Sequence, residues 1–146
     1  MPTLPSLVVH VLGVAMAGLG LAACDSTNNA AEPQIPLTAF NTVLDLSNQQ
    51  NSNLRFDNGA IYYPGGVRGL IVVRQSAGNY LAFERNCPYQ PLDTCARVKI
   101  EPQVYLYDPC CKSQFTLQGQ LISGPAIRPL RQYRTSLSGN LLTITN

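Results

Sequence analysis

The chain has 146 residues and a formal net charge of +2, from ten Lys and Arg against eight Asp and Glu. That length suits one domain. A balance this small, with no run of Lys or Arg and no basic helix, gives no basis for a nucleic-acid partner.

From Leu4 to Ala23 the sequence is almost wholly apolar and small, without Asp, Glu, Lys or Arg, and it ends Leu21-Ala22-Ala23-Cys24. An apolar core closed by small residues reads as an export signal. The string Leu-Ala-Ala-Cys resembles the bacterial lipobox, which implies cleavage before Cys24 and lipidation of its sulfur. The start MPTLPSLVVH departs from that pattern, since it lacks the usual Lys or Arg. The plainer reading of the same run is a short membrane anchor. Residues 1–23 are therefore expected to be a signal peptide and Cys24 the lipid site. The polar, Pro-containing stretch 24–36 is expected to be a flexible tether. The domain would then face the periplasm or the exterior from a bacterial membrane, with a membrane contact through the lipid and an envelope protein as a possible partner.

Removing the leader removes much chemistry. His10 is the single histidine, Met1 and Met16 are the two methionines, and there is no Trp. Past residue 23 there is no imidazole to act as general base, triad member or metal ligand. No catalytic residue and no small-molecule substrate emerge, so the chain is not expected to be an enzyme. Four cysteines follow Cys24: Cys87, Cys95, Cys110 and Cys111. An even number in an exported chain favours disulfides.

No convincing helical period appears. Short runs rich in Val, Ile, Leu, Tyr and Thr fill the chain instead: 37–46, 60–63, 69–75, 79–85, 96–100, 103–108, 114–117, 120–123, 131–137 and 140–146. Turn signals separate them at Asp57-Asn58-Gly59, Pro64-Gly65-Gly66, Ser76-Ala77-Gly78-Asn79, Gln118-Gly119 and Ser138-Gly139-Asn140. This spacing predicts an all-β sandwich or barrel around one core. GLIVVRQSAGNYLAFER, QFTLQGQLIS and RTSLSGNLLTI read as three hairpins. Tyr62, Tyr63, Tyr80, Tyr105, Tyr107 and Tyr133 read as strand and core residues. Pro-Gly-Gly at 64–66 reads as a turn rather than a phosphate loop, because no helix or Lys-Ser/Thr follows.

The tail is more specific. Asp108-Pro109-Cys110-Cys111-Lys112-Ser113-Gln114-Phe115 precedes a hairpin tip at Gln118-Gly119-Gln120, and Ser123-Gly124-Pro125-Ala126 and Arg128-Pro129-Leu130 follow. Over residues 37–146 this resembles the Rieske iron–sulfur domain, whose second loop runs C-P-x-H-G-S-x-F ahead of an S-G-P-A-x-x-P-L proline loop. The resemblance implies an all-β, Rieske-like fold of three small stacked antiparallel sheets, with two loops at one tip and the proline loop over them. It also implies a ligand set, and there the chain departs. Cys87 matches the first cysteine ligand. Tyr89 stands at the first histidine, Asp108 at the second cysteine and Cys111 at the second histidine, while Lys112 replaces a loop glycine. A Rieske [2Fe–2S] centre takes two sulfurs and two imidazoles. No cofactor and no metal are therefore expected, with a non-standard [2Fe–2S] site as the alternative. A four-cysteine site lacks any C-x₂-C spacing.

Four cysteines allow three pairings. A Cys110–Cys111 bond would close a strained ring, and both remaining pairings join the two loops. The resemblance implies Cys95–Cys110, the positions of the loop-to-loop disulfide in Rieske proteins of the cytochrome bc type. Cys87 and Cys111, both at ligand positions, are then expected as a second disulfide. The sequence-level function is an exported, lipid-anchored, non-catalytic module. The alternatives are Rieske-type electron transfer and, more weakly, thiol–disulfide chemistry at Cys110 or Cys111, which lacks a C-x-x-C motif.

Overall fold

The computed structural model describes residues 34–102 and 104–146; the expected signal peptide, Cys24 and most of the expected tether lie outside them. Among the described residues ten strands form in chain order: β1 (Asn41–Asp45), β2 (Ala60–Tyr63), β3 (Leu70–Ser76), β4 (Asn79–Glu84), β5 (Lys99–Glu101), β6 (Tyr105–Tyr107), β7 (Gln114–Phe115), β8 (Leu121–Ser123), β9 (Gln132–Ser138) and β10 (Leu141–Thr145). All neighbouring pairs are antiparallel.

Strands β1, β10 and β9 make one small sheet and β2, β3 and β4 a second. A short β4–β9 pairing, Ala82 with Tyr133 and Phe83 with Gln132, joins them into a six-stranded sheet. The third sheet is β5-β6-β7-β8. The expected all-β architecture of small antiparallel sheets is thus present, with two of the three continuous at an edge. The three expected hairpins form as β3–β4, β7–β8 and β9–β10.

The run Leu70-Ile71-Val72-Val73 explains the layering. Its side chains alternate between two buried clusters. Ile71 and Val73 join Phe83, Cys87, Val98, Leu106, Phe115 and Leu130 on one face. Leu70 and Val72 join Leu44, Leu54, Ala82, Tyr133, Leu142 and Ile144 on the other. A strand covered on both faces needs apolar residues at every position, which is why this stretch does not alternate. The single core expected from length is therefore two apolar layers sharing the β3–β4 hairpin as their common wall.

Three other expectations change. A 3-10 helix spans Gln49–Arg55, capped by the Asn48 side chain accepting from Gln50 N–H. Its polar sequence buries only Asn51 and Leu54, so no apolar period betrayed it. The run 37–46 is a strand only from Asn41, and 96–100 only from Lys99, because Ala96 and Val98 serve the core from a loop. Tyr62 is 45% exposed rather than core. It lies under the Arg85 guanidinium, 3.9 Å from the ring centroid, and accepts a hydrogen bond from Ile100 N–H.

The expected tether also ends early. Ile35 is buried, and the Ile35 and Pro36 carbonyls accept from the Arg131 guanidinium at 2.7 and 2.9 Å. One apolar side chain and one bidentate arginine are enough to seat these residues on the domain. Among the described residues no helix is long and apolar enough to cross a membrane.

Candidate functional site

Two loops meet over the first apolar cluster: residues 85–98, between β4 and β5, and residues 108–113, between β6 and β7. The first is pinched at its base by an Asn86–Arg97 bridge and by Cys87 N–H donating to Ala96 O. Arg68 steadies its crown, donating to the carbonyls of Thr94 and Pro91 at 2.8 and 3.2 Å, and Asn86 Nδ2 donates to Pro91 O as well.

Beneath that loop lies a buried carboxyl group. Glu84, at the end of β4, is fully buried. Oε1 accepts from the N–H groups of Arg68 and Asn86, and Oε2 from Val67 N–H and the Tyr133 hydroxyl, at 2.7 to 3.0 Å. The amides that follow the Pro-Gly-Gly turn therefore serve a side chain of the protein itself.

The second loop is a tight turn. Asp108 N–H donates to Ser113 O at 2.9 Å and Lys112 N–H to Asp108 O at 2.8 Å. Asp108 Oδ1 accepts from Cys110 N–H at 2.8 Å, so the aspartate caps the turn it begins. Lys112 adopts the left-handed φ of 67° that a glycine would hold without strain. Its ammonium turns toward the Tyr107 ring, 5.8 Å from the centroid.

The proline loop closes over this turn through Ser113. Ala126 N–H donates to Ser113 Oγ at 3.1 Å. Gly124 has φ of 106°, and a Cβ there would stand 2.5 Å from Ser113 Cα. Both the backbone conformation and the backbone contact demand glycine at this position.

The sulfurs then fall into two sets. Cys95 and Cys110 are joined, giving the expected loop-to-loop disulfide, and both residues are exposed. Cys87 and Cys111 are free thiols. Their Sγ atoms touch at 3.5 Å where a second disulfide was expected, against about 2.05 Å for a bond. Cys87 is fully buried and Cys111 half-buried, and Cys111 Sγ donates to Ser113 Oγ at 3.1 Å. Burial pushes the Cys87 thiol far above its usual range, and the Asp108 carboxyl beside it adds to the shift.

Asp108 completes the group. A carboxyl oxygen of Asp108 and the two sulfurs all lie within 4.8 Å of one another. Asp108 is fully buried, and its Oδ2 has no hydrogen-bond partner. Tyr89 is half-buried against the same apolar cluster. The four positions read from sequence, Cys87, Tyr89, Asp108 and Cys111, thus sit on the two facing loops. Sequence reading passed over Ser113 and Glu84. Ser113 was visible as the serine of the loop pattern, whereas nothing local marked Glu84 as buried.

These residues do not fit a Rieske cluster. A sulfur, a phenol, a carboxyl and a sulfur replace two sulfurs and two imidazoles, and no histidine occurs among residues 34–146. The Cys87 and Cys111 sulfurs, at positions where the resemblance puts ligands of different irons, are 3.5 Å apart.

No protein-family model matches the chain, and no curated protein does. Among solved structures, the chain is similar to the plasma membrane Rieske protein PetC3 of the cyanobacterium Synechocystis PCC 6803. The two share 22% identity with a TM-score of 0.53, over 69% of this chain and 97% of that one. With its antiparallel sheets and its paired loops cross-linked by Cys95–Cys110, the described domain has the Rieske-like fold.

Proposed function

We propose that this protein is an exported, lipid-anchored, non-catalytic Rieske-like module of the bacterial cell envelope. It acts as a structural or protein-binding element rather than as a carrier of a Rieske [2Fe–2S] centre. One observation carries the reading: the two sulfurs that match ligands of different irons touch at 3.5 Å, with no imidazole available. The Cys95–Cys110 bond does the bridging of the loops that metal coordination would otherwise share. The apolar leader ending at Cys24 supports the anchor, and the similar cyanobacterial protein is described as a plasma membrane protein. A lipid on Cys24 places the domain at a membrane surface facing the periplasm or the exterior, where an envelope protein is the partner in reach.

Two measurements test this. Protein produced with active cluster assembly should be colourless, without acid-labile sulfide and without an EPR signal after reduction. A brown protein carrying iron and sulfide supports the alternative, electron transfer through a non-standard [2Fe–2S] site. Intact-mass analysis should find a lipid on Cys24, and Cys24→Ser should move the protein from the membrane to the soluble fraction. A non-lipidated wild type would remove the anchor from the reading.

A further inference from the structure

We propose that Cys87, Asp108 and Cys111 bind a single divalent transition-metal ion of the zinc class. The inference rests on the reading above, that these loops do not hold the two-iron cluster. Two observations point to the ion independently. The first is spacing. Two thiolates on one tetrahedral ion, each about 2.3 Å from it, stand about 3.8 Å apart. The Cys87 and Cys111 sulfurs are 3.5 Å apart, so each needs to move only slightly to grip one ion between them. The second is Asp108 Oδ2, which is fully buried without a hydrogen-bond partner, on a residue whose carboxyl stands within 4.8 Å of both sulfurs. A buried carboxyl oxygen left bare is destabilising, and a cation in reach removes that cost. Two sulfurs and one carboxylate oxygen are donors that zinc accepts.

The surroundings suit the ion too. Cys110 N–H on Oδ1 fixes the Asp108 side chain and leaves Oδ2 for coordination. Ser113 Oγ accepts from both Cys111 Sγ and Ala126 N–H. On metal binding its own hydroxyl hydrogen can turn to the Cys111 thiolate while the bond from Ala126 persists. Binding breaks two S–H bonds and forms two metal–sulfur bonds. Two protons leave to solvent and no electrons move. Cys111 is half-buried, so one of the two sulfurs is in reach of solvent. Three protein ligands leave a fourth position to water or an outside donor.

The test is anaerobic titration of the purified full chain, without added reductant so that Cys95–Cys110 stays closed, with cobalt(II) alone and then zinc(II). We expect one cobalt per chain, with sulfur-to-cobalt charge-transfer absorption and the visible bands of a tetrahedral site, displaced by one zinc. Cys111→Ser should lower the charge-transfer absorption to about half. Asp108→Asn should keep both sulfur contributions and weaken binding at least tenfold; circular dichroism of each variant checks its fold. No cobalt absorption while both thiols titrate as free overturns the proposal. So does recovery of a Cys87–Cys111 disulfide peptide from protein that takes up no metal. Either result leaves the function proposed above standing. Iron with equimolar acid-labile sulfide overturns both.

Discussion

Two fully buried carboxyl groups, Glu84 at the end of β4 and Asp108 at the start of the loop after β6, are treated in opposite ways. Glu84 has donors on both oxygens, supplied by the turn after β2, by Asn86 and by β9. Asp108 has one oxygen capped by Cys110 N–H and the other without a hydrogen-bond partner, in a carboxyl group that lies beside two thiols. A satisfied carboxyl group ties elements together and resists change. A half-satisfied one keeps a position open. The first belongs to the architecture of the domain and the second to whatever its loops hold.

Substitution should separate the two carboxyl groups most strongly. Glu84→Gln aims an amide donor at amides that already donate, and it should cost about 3 kcal/mol or more in chemical denaturation. Asp108→Asn meets no donor at Oδ2 and should change metal-free stability by less than about 1 kcal/mol. Equal costs would erase the distinction. Next in size is the Cys95–Cys110 bond. Its sequence separation is 15, for which loop-closure entropy gives about 3 kcal/mol. The cystine is exposed, so mild reduction should release that amount without denaturant, read as a lower melting temperature.

Tyr133→Phe removes one donor from Glu84 and should cost about 1.5–3 kcal/mol. Its pH signature has a definite sign. Burial, and then the bond to Glu84, raise the Tyr133 hydroxyl above its usual range. Stability from the neutral hydroxyl is therefore complete below the unfolded tyrosine value of about 10 and is lost as pH rises toward the folded value. Denaturation curves between pH 8 and 11 should show a shallower alkaline loss in Tyr133→Phe than in the wild type. The smallest effect is at Lys112, where glycine would relieve the left-handed backbone. Lys112→Gly should stabilise by at most about 1 kcal/mol, because the added freedom of the unfolded chain offsets part of the gain.

Much of the frame was legible because it is local. Hairpins announce themselves by turn residues between β-rich runs, and Ser123-Gly124-Pro125-Ala126 carries a glycine that only one backbone geometry explains. The Cys95–Cys110 bond came with the loop pattern that resembles the Rieske domain. What stayed hidden is non-local. Nothing in LAFER says that Glu84 will meet a tyrosine 49 positions later. Nothing in QQNSNLR marks a 3-10 helix that buries only two side chains. Cys87 and Cys111 were expected to meet, and they do, but their state depends on a distance that spacing along the chain cannot supply. Ile35 looked like tether because its docking partner, Arg131, lies at the far end of the chain.

The shared wall has a kinetic consequence. Loosening either face of β3–β4 exposes a strand pair that the opposite face also needs, so neither half can open alone at low cost. The domain should melt as one cooperative unit, and the amides of Ile71 to Val73 should exchange with solvent only on global unfolding. A disturbance at the far edge, around β1 and β10, would then change how long the sulfur-bearing loops survive between openings, although it touches none of them.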